Sequence, residues 1–110
     1  MEREIRKETN IERMVREELS LLGLEYIQEY KWKVSPRRRW SYSIDFFLPD
    51  LNIAIDVDGE FWHSSVAAKA IDARKDLRLR KAKFKVVRIP ERDILANVSK
   101  AVQIAIISAK

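Results

Sequence analysis

The chain has 110 residues, with 22 Lys and Arg against 17 Asp and Glu, a formal net charge of +5 and a pI near 9.6. That length makes one domain, spanning 1–110, with a modest hydrophobic core. No stretch approaches the roughly 20 apolar residues that a membrane-spanning helix needs, and without cysteine there is neither a disulfide nor thiolate-ligated zinc.

The highly charged N-terminal segment MEREIRKETN lacks an apolar core, so no signal peptide is expected and an intracellular setting is the default. Two glycines and three prolines argue against long flexible linkers. The basic balance favours a polyanionic partner such as nucleic acid. Acids gather at 45–58, whereas bases gather at 31–39 and 74–85, the layout of a metal site beside a phosphate track.

In chain order, residues 9–22 carry Ile11, Met14, Val15, Leu19 and Leu22 at helical spacing. Thr9 and Glu12 form a capping box, and Gly23 supplies the C-terminal stop. Leu24 to Val34 reads as a strand, with Leu24, Tyr26, Tyr30, Trp32 and Val34 on one parity and Gln28 interrupting it. A basic loop, Ser35-Pro36-Arg37-Arg38-Arg39-Trp40, follows.

Tyr42–Leu48 and Ile53–Asp58 read as a hairpin joined at Pro49-Asp50-Leu51-Asn52, where Pro presets φ and Asp and Asn bond the local backbone. Pairing Leu48 with Ile53 sets Asp45 opposite Asp56 and Ser43 opposite Asp58. One face then carries Ile44, Phe46, Leu48, Ile53, Ile55 and Val57; the other carries Ser43, Asp45, Phe47, Ala54, Asp56 and Asp58. A one-residue slip would place every acid in the core, so this register is the expected one. Val66 to about Lys83 reads as a helix, 84–89 as a strand stopped by Pro90, and about Glu91 to Ala109 as a final helix. The order α-β-β-β-α-β-α predicts an α+β fold with a mixed sheet of about four strands flanked by helices.

Asp45 and Asp56, opposed on adjacent strands, repel unless a cation or a shared proton intervenes. Mg²⁺ or Mn²⁺ suits such a pair, because a hard cation takes one or two carboxylates and completes its shell with water and phosphate oxygens. His63, one short loop away, is either a proton carrier near neutral pH or an ordinary surface or capping histidine. Glu12 reaches the same site if its helix crosses the sheet, although the capping box already employs it. Asp72 either faces the site or lies on a solvated face beside Lys75 and Asp76. Phe61 and Trp62 stack on bases or pack into the core. Lys31, Lys33, Arg37, Arg38 and Arg39 alternate with Trp32 and Trp40, a pattern suited to phosphate contact and stacking, or to a solvated basic loop. Arg74 and Lys75 extend the basic set onto the following helix.

The segment DFFLPDLNIAIDVDGEFWH resembles the very-short-patch-repair endonuclease group, a branch of the PD-(D/E)xK nucleases that includes homing endonucleases with an E…D…x…H…D signature. Gly59-x-Phe61-Trp62-His63 is its most specific piece, and the resemblance runs from Thr9 to about Ile89. It implies a restriction-endonuclease-like core and a divalent-metal-dependent endonuclease acting on double-stranded DNA. By position it makes Glu12, Asp45, His63 and Asp72 the active-site set, with Asp45 the principal metal ligand and Asp56 or the Val57 carbonyl the second. The motif lysine is absent, since Asp58 stands in its place; water activation then falls on His63 or a metal-bound water. Without Cys, the zinc site of the mismatch-repair members is not built. A homing or mobile-element module is therefore favoured over a mismatch-repair nickase; the missing lysine leaves a non-catalytic nucleic-acid-binding module as the alternative, against which the co-occurrence of Glu12, Asp45, His63 and Asp72 in family order favours the nuclease. No helix-turn-helix or zinc finger is visible, so a homodimer or an additional DNA-recognition domain is expected to supply specificity.

Overall fold

A computed structural model describes residues 7–59 and 65–110. Helix α1 spans Asn10–Leu21. Its capping box is formed: Glu12 N–H donates to Thr9 Oγ1 at 3.3 Å, and Thr9 N–H donates to Glu12 Oε1 at 2.8 Å. At its other end Gly23 takes φ 71°. Leu24 N–H then donates to the Leu19 carbonyl and Gly23 N–H to the Ser20 carbonyl, a Schellman stop.

Strands β1 (Ile27–Trp32), β2 (Tyr42–Leu48) and β3 (Ile53–Asp58) form an antiparallel meander. Helix α2 (Val66–Lys81) crosses back to β4 (Lys85–Pro90), which pairs parallel with β3, and helix α3 (Glu91–Ser108) closes the order. The sheet order is β1-β2-β3-β4, a mixed four-stranded sheet with helices on both faces. The expected succession α-β-β-β-α-β-α is the observed one, with shorter ends. Leu24 and Tyr26, expected in the first strand, precede it and pack on the core.

The β2–β3 turn is held by Leu51 N–H donating to the Leu48 carbonyl at 3.3 Å, with Asn52 at φ 55°. Asn52 tolerates that left-handed conformation better than most residues. Its Nδ2 also donates to the Lys83 carbonyl at 2.7 Å, tying the hairpin turn to the end of α2. Lys83 itself has φ 75° and closes a second Schellman stop, in a place that glycine usually fills.

Two apolar clusters cover the sheet. On one face, Ile11, Val15 and Leu19 of α1 and Ile94, Val102 and Ala105 of α3 pack on Phe46, Leu48, Ile53, Ile55, Val57 and Ile89. The other face holds Ile44, Ala54, Val86 and Leu79, ringed by Tyr30, Trp32, Phe47 and Phe84. Of the larger apolar residues of α2, only Leu79 is buried; Val66, Ile71 and Leu77 are exposed. Helix α2 rests on the sheet at its C-terminal end and through polar contacts.

One expected face assignment is corrected. Ile44 was expected beside Phe46, yet the two belong to opposite clusters. The reason lies at the intervening residue. The β1–β2 pairing runs Gln28↔Phe46, then Tyr30↔Ile44, with no Cα pair described between Glu29 and Asp45. Glu29 has φ 53°, so strict alternation breaks there. Gln28, which interrupted the apolar parity of β1, is also explained: its Nε2 donates to Glu8 Oε2 at 2.7 Å, beside the Arg16–Glu8 ion pair.

Candidate active site

The β2–β3 ladder runs from Leu48↔Ile53 to Phe46↔Ile55 and is described no further. At the next position the two strands are joined by side chains. Val57 N–H donates to Asp45 Oδ2 at 2.8 Å, and Asp45 N–H donates to Asp56 Oδ1 at 3.1 Å. The expected opposition of Asp45 and Asp56 is therefore present, with carboxylates standing in for backbone carbonyls. The expected Ser43–Asp58 opposition is not among the described pairs.

This gap is the floor of a cleft of ≈ 580 Å³, whose lining includes Glu12, Asp45, Asp56, Arg88 and Glu91. Burial, helped by the negative charges of Asp56 and Glu12, pushes the Asp45 carboxyl up from 3.8 to about 6, against the Val57 hydrogen bond and the Lys75 charge. The other oxygen of Asp45 has no described partner.

Behind the gap stands a cationic pair. Lys75 Nζ lies 2.8 Å from Asp56 Oδ2 and donates to the Ser43 carbonyl. Arg88 sits beside Asp56 in the β3–β4 register. Its Nε and Nη2 bond Asp76 at 2.9 Å each, and its Nη1 bonds Asp58 Oδ1 at 2.9 Å. Its Nη2 is 3.4 Å from Asp56 Oδ2 and 3.6 Å from Asp72 Oδ1. Burial opposes the charge on Arg88, but the Asp76 hydrogen bonds and the Asp56 and Asp58 charges raise its pKa above the ordinary arginine range. Among the described residues, no buried side-chain nitrogen or oxygen lacks a hydrogen bond.

The structure brings Glu12, Asp45 and Asp56 to one cleft and connects Asp72 to it through Arg88. His63, Phe61 and Trp62 lie outside the described residues. Lys31, Lys33, Arg37, Arg38, Arg39 and Arg74 are exposed, and Arg38 sits over the Trp40 ring at 5.9 Å. Lys75, grouped with them from its sequence, is instead largely buried and bonded to Asp56. Arg88 was not singled out from the sequence. Its signal was an arginine among Val86, Val87 and Ile89 in β4, where a charge drawn into the sheet needs acidic partners.

An oxygen-only donor set of this kind fits a hard cation that keeps several waters. Among the described residues, no three His, Cys, Asp or Glu side chains converge as a ready-made metal cage. Mg²⁺ does not demand one, because one or two carboxylates with water and phosphate oxygens suffice.

This mixed four-stranded sheet with helices on both faces is an architecture similar to that of a homing endonuclease catalytic domain. One solved structure that it is similar to is the "Homing Endonuclease I-Bth0305I Catalytic Domain", at 27% sequence identity and a TM-score of 0.64, over 87% of this chain and 89% of that one. No protein-family model matches the chain, and no curated protein does. No helix among the described residues is long and apolar enough to cross a membrane.

Proposed function

We propose that this chain is a divalent-metal-dependent endonuclease that hydrolyses phosphodiester bonds of double-stranded DNA, as the catalytic module of a homing or mobile-element nuclease. One observation carries the reading: the β2–β3 gap, where Asp45 is held by the β3 backbone against Asp56 at the floor of a cleft. Its likeness to a homing endonuclease catalytic domain supports the substrate class.

Asp45 would hold the ion, with Asp56 or the Val57 carbonyl beside it. When bound, Mg²⁺ or Mn²⁺ polarises a phosphate oxygen and lowers the pKa of water. The Val57 N–H fixes the Asp45 carboxylate from behind and leaves its other oxygen for the ion. Glu12, held by its own capping box at the rim, adds negative charge that favours a cation over a second anion. In this reading His63 takes a proton from water or gives one to the leaving oxygen as the phosphorus–oxygen bond breaks. The exposed bases at 31–39, with Arg74, grip backbone phosphates without reading sequence. A homodimer or an additional domain then supplies specificity.

The test is nicking of a supercoiled plasmid in Mg²⁺ or Mn²⁺. Asp45→Asn is expected to slow cleavage by roughly 10³-fold, equivalent to several kcal/mol of lost charge stabilisation. The same ions are expected to raise the melting temperature of the wild type and not of the variant. Wild-type cleavage by Asp45→Asn sinks the assignment. Salt-sensitive binding with no cleavage in either ion points to the non-catalytic module instead.

A further inference from the structure

Asp56 has both oxygens committed. Oδ1 accepts the Asp45 N–H at 3.1 Å; Oδ2 faces Lys75 Nζ at 2.8 Å and Arg88 Nη2 at 3.4 Å. The Asp56 side chain is only 7% exposed and that of Lys75 only 14%. A buried ammonium is costly unless oxygens surround it. The two oxygens that surround this one are telling: the Ser43 carbonyl lies two residues before Asp45 on β2, and Asp56 lies across from it on β3. Lys75 therefore bridges the strands at the place where their ladder opens. It arrives from α2, whereas the cleft in front of Asp45 is lined from α1 and α3, and Lys75 is not part of that lining. The position on β3 where the resemblance calls for a lysine holds Asp58, bonded to Arg88.

Resting on the nuclease reading above, we infer that Lys75 is a positioning residue for cleavage. It clamps the Asp56 carboxylate from behind the cleft, and through the Asp56–Asp45 hydrogen bond it sets where Asp45 stands. Without the ammonium, two neighbouring carboxylates repel, the Asp45 N–H loses its fixed acceptor, and the gap relaxes. A displacement of about 1 Å at such a site costs on the order of 10²-fold in rate. This role differs from that of the exposed bases, since Lys75 would act on kcat and leave the grip on DNA unchanged.

The experiment compares wild type, Lys75→Met, Lys75→Arg, Asp56→Asn and the double variant Asp56→Asn/Lys75→Met. It measures kcat and KM in plasmid nicking and duplex affinity in chelator at several salt concentrations. Lys75→Met should lose about 10²-fold in kcat with KM, duplex affinity and salt slope unchanged. Lys75→Arg should recover part of the loss, because a guanidinium can still reach both oxygens. The double variant should be no slower than Asp56→Asn alone, because Lys75 acts through Asp56. Removing both partners also leaves no unpaired buried charge on either side of this contact, so the double variant is informative if Lys75→Met fails to fold. A raised KM with a salt slope lowered by about 1 and kcat intact identifies a phosphate contact and overturns the inference. Multiplicative losses in the double variant overturn it as well. If the wild type cuts no DNA, the nuclease reading falls and takes this inference with it. If the wild type cuts and Lys75→Met keeps the wild-type kcat, only this inference falls.

Discussion

Asp45 works against the fold that holds it. Its carboxyl titrates near about 6 in the native state against 3.8 as the ordinary value, chiefly through burial and then through the neighbouring charge of Asp56. Between those two pH values the folded chain holds a proton that the unfolded chain has released. This group's stabilising effect is complete below about pH 4 and is lost as pH rises through about 6. The loss is about 2–3 kcal/mol. Asp45→Asn keeps the shape and the bond from the Val57 N–H but carries no charge. It is therefore expected to be about 2 kcal/mol more stable than wild type at pH 7.5 and equal to it near pH 4, as read by urea denaturation at the two pH values. Equal stability at both would show that the carboxylate is not strained by its neighbours. On the proposed reading, a divalent cation bound there would relieve the same repulsion, and the residue that destabilises the free protein would be the one that holds the ion. Glu12, by contrast, was readable twice over from its sequence, as capping residue and as rim acid, and the structure shows both placements in one side chain.

At the scale of elements, the hairpin and α1 followed local rules, and the departures have local causes. Alternation along β2 predicts Ile44 and Phe46 on one face, yet they lie in opposite clusters on either side of Asp45, level with the left-handed Glu29 that the β1–β2 pairs skip. The sequence from about Glu91 to Ala109 reads as one helix, but Asn97 breaks it with φ −167° and ψ 94°. The Asn97 side chain then accepts from Lys100 N–H at 3.0 Å, the bond of an N-cap, and so starts the second segment. Leu95, two residues before the break, is exposed. Asn97→Ala is expected to cost about 1 kcal/mol in denaturant unfolding, with Asn97→Asp close to wild type. Asparagine inside a helical pattern was the available signal, and it was outweighed by the apolar residues around it.

Across the whole molecule, charge is sorted by depth. Among the described residues, seven acids (Glu12, Asp45, Asp56, Asp58, Asp72, Asp76 and Glu91) lie in or beside the cleft, with Arg88 and Lys75 among them. The bases of the 31–39 segment face outward on the β1–β2 side, together with Trp40. Outward bases serve a polyanion through counterion release, and each phosphate contact steepens the salt dependence. Replacing Arg37, Arg38 and Arg39 together by alanine is expected to weaken duplex binding and to reduce the slope of log affinity against log salt by up to about 3, with the melting temperature within about 2 °C of wild type. An unchanged slope would remove this segment from the DNA-facing surface.

What the sequence determined by itself follows from short-range patterning. The element order, the hairpin register from Leu48 to Phe46, the capping box and the opposition of Asp45 and Asp56 all rest on periods of 2 and 3.6 and on turn chemistry within a dozen residues. The placement of the cations depends instead on residues far apart in the chain. Lys75 meets Ser43 across 32 positions, and Arg88 meets Asp58 across 30. Nothing in a run of charges on a helix tells which lysine turns inward. That choice was made by the crossover of α2 and the parallel docking of β4, which set Arg88 beside Asp56 and brought Lys75 behind it. Once two carboxylates were placed at a gap in a buried sheet, the cost of leaving them uncompensated required cations from elsewhere in the fold.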